Sequence, residues 1–381
     1  MEKKKVLLEI IPTLANGGAE SLVKEYALAF QDSKNVELKL ILMWDYEGSV
    51  NSKILREAGI KYDVIYKKYS VFTRLLHKIC GKMLISNYIN KFCKKYDVSF
   101  IHCHLVMISY IEKAMKENPD LKIYYTLHSS AKAYFEEGHP DTPQIKKVYD
   151  TGRLTLICLS KFMENEVRNK YGFNNTITLY NGVKLERFIN NKFTKEGARK
   201  DLGIPLDAYV VGNVGRFTVE KNHYFIVDRF AELLQKKPNV FLLLDGDADI
   251  ESNLKNEVID YIASKGISDR TLILSRRTDM DRIYKAMDLF FFPSLSEGFP
   301  LSIVEAQATG LKCLTSERVT NETFVTDQVE VLSLDDDKEK WVDALINWKN
   351  NAKPTNSFAN LDIKNVAKVF EGYLLGDKNG R

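Results

Sequence analysis

Short apolar runs recur along the chain, and each is followed by a loop and then by a segment whose apolar residues repeat with helical spacing. This alternation is typical of parallel strands connected by crossover helices. The strands predicted in the first half lie at 6–11, 37–43, 62–65, 100–103, 123–128, 154–159 and 176–180. In the second half they lie at 209–214, 240–245, 272–274, 289–292 and 312–315. The pattern therefore predicts an α/β fold of two doubly wound units in series.

The length of 381 residues is about twice what one hydrophobic core usually organises. We expect an N-terminal domain over 1–183 and a C-terminal domain over 184–363, with a last helix, 364–381, that packs back on the first domain. The stretch 184–205 is charged and poor in apolar residues, so it is predicted to be an inter-domain link.

Composition and charge exclude several classes of protein. Hydrophobic residues make up 45% of the chain, which is enough for packed cores and excludes a disordered chain. The 55 Lys and Arg nearly balance 51 Asp and Glu, which argues against nucleic-acid binding. The five cysteines include no C-x-x-C pair and suggest neither a disulfide framework nor a zinc site. No apolar run has the length of a signal peptide or a membrane span, so we expect a cytoplasmic protein.

A glycine pair, Gly17 and Gly18, follows the first predicted strand and precedes a helical pattern. At such a turn glycine lets the backbone approach a ligand closely, and the N-terminus of the helix attracts phosphate. The pair lacks the G-x-G-x-x-G spacing of a dinucleotide site, so a plain tight turn is the alternative.

Two cations, Arg216 and Lys221, follow the predicted strand at 209–214. Doubly wound folds hold anionic ligands at the carboxyl ends of their strands, and Arg binds phosphate through two parallel hydrogen bonds. A solvated loop is the alternative interpretation.

Two carboxylates, Glu297 and Glu305, follow the predicted strand at 289–292. Glu297 lies in a loop, and Glu305 lies in a helix whose first turn suits Pro300. Both are thus predicted at the carboxyl end of the strand, where they can hold sugar or ribose hydroxyls while the helix amides face a phosphate. The alternative is that Glu305 caps or pairs structurally and Glu297 is solvated.

These features occur in an order that resembles the family 4 retaining glycosyltransferases of the GT-B fold. The matching segments are Gly17-Gly18-Ala19-Glu20, Asn181-Gly182-Val183, Gly215-Arg216-Phe217 with Glu220-Lys221-Asn222, and Glu297 with Glu305 at E-x7-E spacing. The match covers nearly the whole chain, and the tail after Gly310 is most similar to members that build capsular polysaccharide or exopolysaccharide. The resemblance implies two Rossmann-like domains facing a cleft.

The resemblance also implies where a nucleotide sugar binds. Arg216 and Lys221 would neutralise its diphosphate, and Gly17 and Gly18 would meet the diphosphate from the other domain by their backbone. Glu305 would hold the ribose.

The same resemblance assigns the sugar and the base. Glu297 would hold a hydroxyl of the donor sugar, assisted by the amides of Gly298, Phe299 and Leu301. The nucleobase, expected to be uracil, would lie against the loop of Arg276, Arg277 and Thr278. A glycine usual near Ser275 is absent, which leaves the base open. The usual proline at Lys312 is also replaced, which concerns packing.

His128 ends the predicted strand at 123–128 and matches a histidine that lies beside the reacting sugar in this family. The resemblance implies that His128 makes a polar contact to the donor sugar or the acceptor, more than that it acts as a base. A structural histidine is the alternative. His102 and His104 precede it, but no i, i+4 helical pair or accompanying acid supports a metal site.

Asp245 and Asp247 form an Asp-x-Asp pair, which is the metal-nucleotide signature of the other common glycosyltransferase fold. That fold would not have the second doubly wound unit. Because protein cations can neutralise the leaving group in place of a divalent metal, we expect no metal and no cofactor.

The segment 67–96 contains eight Lys or Arg and no Asp or Glu, interleaved with apolar residues. Basic amphipathic helices of this kind can lie on anionic lipid. The alternatives are a solvated helical face and an oligomer contact.

Together these expectations describe a peripherally membrane-associated retaining transferase. It would move a hexose or N-acetylhexosamine from a nucleotide diphosphate sugar to a glycan acceptor, which a lipid could carry. A phosphorylase, a sugar-nucleotide epimerase and a non-catalytic nucleotide-sugar-binding subunit are the alternatives.

Overall fold

A computed structural model describes residues 3–15, 17–45, 48–67, 70–248, 252–275 and 277–377. The strands are β1 Lys5–Ile11, β2 Val36–Trp44, β3 Asp63–Tyr66, β4 Val98–His104, β5 Lys122–Thr126, β6 Leu154–Cys158, β7 Thr176–Thr178, β8 Tyr209–Val214, β9 Val240–Asp245, β10 Thr271–Leu274, β11 Leu289–Phe292, β12 Lys312–Ser316 and β13 Val329–Leu332. The helices are α1 Gly18–Ala29, α2 Val50–Glu57, α3 Val71–Tyr96, α4 Glu112–Glu117, α5 Ala131–Phe135, α6 Thr142–Tyr149, α7 Lys161–Asn169, α8 Glu186–Ile189, α9 Lys195–Leu202, α10 His223–Lys236, α11 Leu254–Ser264, α12 Met280–Ala286, α13 Leu301–Ala308, α14 Lys338–Ile346, α15 Phe358–Leu361 and α16 Ile363–Leu375.

The strands form two parallel sheets. The first has the order β3-β2-β1-β4-β5-β6-β7, and the second has the order β10-β9-β8-β11-β12-β13. In both sheets the chain starts near the middle, winds to one edge and then returns to build the other half, as in doubly wound folds. The predicted fold class of two Rossmann-like α/β units is therefore confirmed.

The chain divides into two compact units. Unit 1 comprises residues 1–182 and 361–381, and unit 2 comprises residues 183–360. The expected domains were 1–183 and 184–363, with the last helix on the first domain. In the structure α16 belongs to unit 1, while residues 378–381 of the expected helix lie outside the described residues.

Unit 1 buries one face of α16 in its core. Phe370 is fully buried, and its ring centre lies 5.6 Å from that of Tyr26, 5.0 Å from that of His102 and 5.5 Å from that of Tyr124. Gly182 lies against the start of this helix, where a Cβ atom would come within 2.7 Å of the Ile363 Cα. The last helix thus completes a core begun by the first strands of the chain.

The interpretation of 184–205 as a bare inter-domain link is wrong. This stretch contains α8 and α9 and belongs to unit 2. Arg199 of α9 is buried, its Nη2 lies 2.5 Å from Asp288 Oδ2, and its guanidinium also donates to the carbonyls of Leu206 and Ala286. One of the charged side chains of this segment, Arg199, is therefore buried and anchors α9 to the rest of unit 2.

One strand of the second sheet was not predicted from the sequence. This strand, β13, is short, lies at the edge of the sheet and pairs with β12.

Within the described residues, no helix has the length and apolar character needed to cross a bilayer.

Candidate active site

The loops at the carboxyl edge of the second sheet hold most of the predicted donor-binding residues. Glycine allows two of these loops to meet: a Cβ atom on Gly246, after β9, would lie 1.9 Å from the Gly215 carbonyl oxygen, after β8. Gly215 also lies beside Lys221, whose Cδ and Cε would be 3.2 Å from an added Cβ. This close packing brings the stem of Lys221 across the end of β8.

Lys221 and Glu297 form an ion pair at this edge. The distance between Lys221 Nζ and Glu297 Oε1 is 2.6 Å, and the side chains are 17% and 10% exposed. Lys221 Nζ also lies 4.7 Å from the centre of the Phe292 ring at the end of β11. Asn222, in the left-handed conformation with φ 59°, donates from its side chain to the Pro293 carbonyl and ties the two loops together. The alternative in which Glu297 is merely solvated is not what the structure shows.

Arg216 lies on the same edge and is exposed. Its carbonyl accepts a hydrogen bond of 2.8 Å from the Thr218 amide, which turns the loop after β8. The Arg216 guanidinium contributes to lowering the pKa of Glu220, after the hydrogen bonds to the Glu220 carboxylate from Thr218 and from its own amide. The loop therefore carries two cations, Arg216 and Lys221, near the end of one strand.

Glu305 lies within α13 and accepts a hydrogen bond of 2.9 Å from the Tyr284 hydroxyl. Tyr284 is fully buried, and burial, followed by the Glu305 charge, raises the pKa of its hydroxyl far above its usual value. Sequence reasoning missed Tyr284, which orients Glu305 from α12. Helix α13 begins at Leu301 after Pro300, so the predicted amide contributors of this segment lie at its start: Gly298, Phe299 and Leu301.

The loop expected to meet the nucleobase is held by an arginine. Arg277 makes a two-pronged contact with Asp279, with Nε 2.9 Å from Oδ1 and Nη2 2.6 Å from Oδ2. The Thr278 carbonyl accepts a hydrogen bond from Arg187. Arg276 lies outside the described residues. The acid two residues after Arg277 was the available signal for this pairing, and sequence reasoning did not use it.

A buried carboxylate and a lysine lie beside that loop. Lys255 Nζ donates to the Gly246 carbonyl at 2.6 Å and to the Leu274 carbonyl at 3.2 Å, which joins the ends of β9 and β10. Asp245 is 7% exposed, and its Oδ1 has no hydrogen-bond partner among the described residues. Burial raises the pKa of Asp245 to about 6, although the Lys255 charge opposes this.

Unit 1 holds the other predicted site residues. Gly17 is the N-cap of α1, and a Cβ atom on it would lie 2.2 Å from a carboxylate oxygen of Glu20. Gly18 is the first residue of α1, and an added Cβ would meet no atom within 4 Å. A side chain at Gly17 would therefore displace the carboxylate of Glu20, while Gly18 opens toward space beside the helix N-terminus.

His128 is part-buried just after β5 and is the end of a chain of side-chain hydrogen bonds. Its Nε2 lies 2.8 Å from His104 Nδ1, and His104 Nε2 lies 2.8 Å from Glu9 Oε2. The other Glu9 oxygen, Oε1, lies 3.0 Å from His102 Nδ1, and His102 Nε2 lies 2.7 Å from Thr126 Oγ1. Glu9, His102 and His104 are completely buried.

Sequence reasoning missed Glu9 and stated that no acid accompanied these histidines. The acid is there, because parallel pairing aligns Glu9 in β1 with His102 in β4. Ligand atoms of Glu9, His102 and His104 lie within 4.8 Å of one another, a spacing that a metal ion could bridge. However, each histidine nitrogen nearest to Glu9 lies at hydrogen-bond distance from a carboxylate oxygen, so direct hydrogen bonds account for the cluster.

Two family profiles match consecutive parts of the chain. The one described as "Glycosyltransferase Family 4" matches residues 16–187. The one described as "Glycosyl transferases group 1" matches residues 194–362, so the two profiles together cover most of both units. The chain belongs to the family 4 glycosyltransferases.

Curated members of the glycosyltransferases that resemble this chain come from several bacteria. An Escherichia coli UDP-Gal:alpha-D-GlcNAc-diphosphoundecaprenol alpha-1,3-galactosyltransferase is 33% identical over 172 residues, which are 44% of this chain and 43% of that protein. The putative teichuronic acid biosynthesis glycosyltransferase TuaC of Bacillus subtilis is 30% identical over 59% of this chain and 55% of its own length. The chain thus matches about half the length of these relatives.

Solved glycosyltransferase structures share the fold over the whole chain. Anabaena Alr3699/HepE, solved in complex with UDP and glucose, has a TM-score of 0.77 at 18% identity and covers 98% of this chain and 100% of its own. WaaG, a glycosyltransferase involved in lipopolysaccharide biosynthesis, has a TM-score of 0.66 at 13% identity and covers 97% of this chain and 100% of its own. These matches support the predicted GT-B fold.

Proposed function

We propose that this protein is a retaining glycosyltransferase that moves a hexose or N-acetylhexosamine from a UDP-linked sugar to a surface glycan. The single observation that carries the proposal is the Lys221–Glu297 ion pair at the carboxyl edge of the second sheet. There a cation for phosphate and an acceptor for sugar hydroxyls lie together, where doubly wound folds bind nucleotides. Family membership and the UDP-sugar names of the relatives support the choice of donor.

The ion pair is compatible with a bound diphosphate. A lysine ammonium has three N–H donors, so Lys221 can keep Glu297 on one of them and donate to a phosphate oxygen with another. Arg216, on the same loop, adds a second positive charge and can bind phosphate through two parallel bonds. As the sugar leaves, negative charge develops on the diphosphate, and both cations stabilise it.

The two glutamates then bind different parts of the donor. A carboxylate accepts about four hydrogen bonds, so the bond from Tyr284 to Glu305 is compatible with Glu305 accepting ribose hydroxyls. Glu297, held by Lys221, would accept a hydroxyl of the transferred sugar, with the amides of Gly298, Phe299 and Leu301 at the start of α13 beside it. The loop of Arg277 and Thr278 would meet the base.

The proposal includes two features of the mechanism. The reaction needs no metal ion, because Arg216 and Lys221 provide the positive charge that a divalent ion would otherwise bring to the leaving group. Retention of the anomeric configuration rests on the resemblance to family 4 transferases, which implies that the departing phosphate itself shields or deprotonates the acceptor on the face it leaves. Unit 1 has candidate residues of its own: the backbone of Gly17 and Gly18 for a phosphate, and His128 for a sugar hydroxyl.

The acceptor is proposed to be a glycan, with a lipid carrier that brings the enzyme to an anionic membrane surface. Helix α3 supports this, because its first half exposes apolar side chains next to cations. Val71, Phe72 and Ile79 are at least 72% exposed, and Lys78 and Lys82 are exposed beside them. An amphipathic helix of this kind inserts apolar side chains among lipids while its cations attract the headgroups.

A transfer experiment with EDTA present tests the proposal. The protein is incubated with UDP-sugars, with and without glycan-diphosphate lipids, and the products are separated. We expect UDP release that depends on both a particular UDP-sugar and an acceptor. Sugar 1-phosphate formed only when inorganic phosphate is added would indicate a phosphorylase, interconversion of UDP-sugars without acceptor would indicate an epimerase, and tight donor binding without turnover would indicate a binding subunit.

A further inference from the structure

The buried hydrogen-bond chain of unit 1 determines which nitrogen of His128 carries the proton. The chain runs from Glu9 through His104 to His128, with consecutive distances of 2.8 and 2.8 Å. Each link is a contact between one donor and one acceptor, so the protonation of one end constrains the other.

Glu9 is the fixed end because it is ionised. Burial would raise its pKa, but the charge of His102 and the hydrogen bonds from His102 and His104 outweigh burial and lower the pKa to about 2. An ionised carboxylate only accepts hydrogen bonds. His104 must therefore donate to it from Nε2, and His102 must donate to it from Nδ1.

His104 then transmits this constraint. Burial, followed by the charge of His102, lowers the pKa of His104 to about 4, so His104 is neutral near pH 7. A neutral imidazole with its proton on Nε2 has a lone pair on Nδ1. The partner of that lone pair is His128 Nε2 at 2.8 Å, so His128 must carry a proton there.

His128 is the open end of the chain. Burial, followed by the charges of His104 and His102, lowers its pKa well below the usual value, so it is neutral with its proton on Nε2. Its Nδ1 is then a lone pair, and no described residue donates a hydrogen bond to that nitrogen in the structure. The Nδ1 atom of His128 can therefore accept a hydrogen bond but cannot donate one.

We propose that Glu9 is a positioning residue which, through His104, holds His128 in the tautomer whose Nδ1 accepts a hydrogen bond from a substrate hydroxyl. The identity of the hydroxyl-bearing ligand as a sugar rests on the proposed function. The tautomer itself rests only on the contacts of unit 1. His102 and Thr126 form a second arm from the same carboxylate and do not reach His128.

The two arms provide matched variants. His104→Leu and His102→Leu each remove one buried imidazole and leave Glu9 with one histidine partner. A purely structural role for the cluster predicts similar effects from both. The proposed role predicts that His104→Leu alone changes the proton position on His128, because only that arm contacts it.

Long-range proton–nitrogen NMR spectra of the ligand-free protein, labelled with nitrogen-15 in histidine, read the tautomers directly. The chain has six histidines, so signals can be assigned with single variants. In the wild type we expect neutral His104 and His128, each protonated on Nε2. In His104→Leu the His128 signals should move toward a tautomer mixture, and in His102→Leu they should stay. Wild-type His128 protonated on Nδ1 or on both nitrogens, or the same response in both variants, would overturn the proposal.

Kinetics then connect the tautomer to transfer. With thermal melts confirming that both variants fold, His104→Leu should lower kcat about threefold to tenfold, the range for one neutral hydrogen bond, with nucleoside diphosphate affinity unchanged. His102→Leu should stay near the wild-type kcat. A wild-type protein that has the expected tautomers but transfers no sugar would contradict the proposed function and leave the positioning role of Glu9 intact. Sugar transfer by the wild type, together with the same His128 tautomer and the same kcat in both variants, would contradict the positioning role of Glu9 and His104 alone.

Discussion

At the residue scale, the charged side chains of the proposed donor site already have partners in the ligand-free protein. Lys221 and Glu297 are paired, with side chains that are 17% and 10% exposed, and Glu305 accepts a hydrogen bond from Tyr284. A nucleotide sugar would enter this network by sharing existing partners. The consequences differ for each residue, which makes the assignments separable.

Removing either proposed phosphate-binding cation should weaken the binding of UDP. Arg216→Ala and Lys221→Ala should each cost about 1.5 to 3 kcal/mol, the range for hydrogen bonds to charged groups. Isothermal titration in EDTA measures this, with Lys200→Ala, an exposed lysine of α9, as a control for charge alone. Affinities equal to the wild type in both site variants would remove these residues from the site, and an absolute need for manganese would return Asp245 and Asp247 to consideration.

The two glutamates should respond differently to neutralisation. Glu305→Gln should weaken UDP and UDP-sugar equally, because both contain the ribose. Glu297→Gln should leave UDP affinity unchanged or slightly higher, since it removes an anion that competes for Lys221, while lowering kcat through lost contact with the reacting sugar.

Titration calorimetry and initial rates on the same protein preparations compare these effects. The two variants serve as controls for each other because both exchange a carboxylate for an amide of the same size. A Glu297→Gln enzyme that loses UDP affinity yet turns over bound donor at the normal rate would reverse the two roles.

The buried carboxyl group of Asp245 should make the free energy of unfolding depend on pH. Its pKa in the folded protein is raised to about 6, so ionising it costs folding free energy, and that cost grows as pH rises from about 4 through 6. Asp245→Asn should therefore gain stability at pH 7, by up to about 3 kcal/mol, and the gain should vanish near pH 4. Urea unfolding at both pH values measures it, with Asp247→Asn, which is 36% exposed, as the control. An equal effect of Asp245→Asn at both pH values would show that its charge is not the cause.

Some of these residues could be predicted from sequence and others could not. Glu297 and Lys221 were predicted because charged residues in loops after buried strands fall at one sheet edge, and Glu305 was predicted because its helix follows the same strand as Glu297. Glu9 was not, because it lies inside an apolar strand, and its partners come from β4, which is distant in sequence and is aligned only by strand pairing. Tyr284 was missed because a buried tyrosine in a helix has the same sequence pattern as a core residue.

At the scale of elements, apolar runs predicted the strands well where they were long and bounded by loops. Strand β13 was missed because it is short and contains Glu330. Helices α8 and α9 were missed because their charged residues suggested a solvated link, whereas Arg199 is used internally. Periodicity reports exposure along an element, and it cannot report a charge that is paired inside the fold.

Helix α3 is expected to bind anionic membranes through its exposed lysines. Lys78→Gln together with Lys82→Gln should reduce sedimentation with anionic vesicles, since each cation near such a surface contributes about 1 kcal/mol. Rising salt should reduce the binding of the wild type through screening. Lys200→Gln with Lys338→Gln removes the same charge from exposed positions of unit 2 and should have little effect.

The outcome distinguishes the three interpretations of this helix. Wild-type protein that ignores anionic vesicles at low salt would contradict the lipid interpretation. An oligomer that dissociates when Phe72 or Ile79 is replaced by Ser would indicate a protein contact, and neither response would leave a solvated face.

At the scale of the whole molecule, the same architecture is used twice. In each unit the candidate residues follow parallel strands at their carboxyl ends: His128 after β5 in unit 1, and Lys221, Glu297 and Asp245 after or at the ends of β8, β11 and β9 in unit 2. The family profiles match these two units in turn. The fold was therefore predictable from repeated strand and helix patterns, while the sugar and the acceptor depend on loop details that no pattern specifies.

We propose transfer with retention and without metal, and the anomeric configuration of the product distinguishes this reaction from an inverting one. A UDP-α-sugar that the protein consumes is incubated in EDTA with a glycan-diphosphate lipid, and proton NMR couplings at the new anomeric centre are measured. We expect an α-linked product with UDP released in equal amount. A β-linked product, a strict requirement for a divalent metal, or the absence of any consumed UDP-sugar would contradict the account.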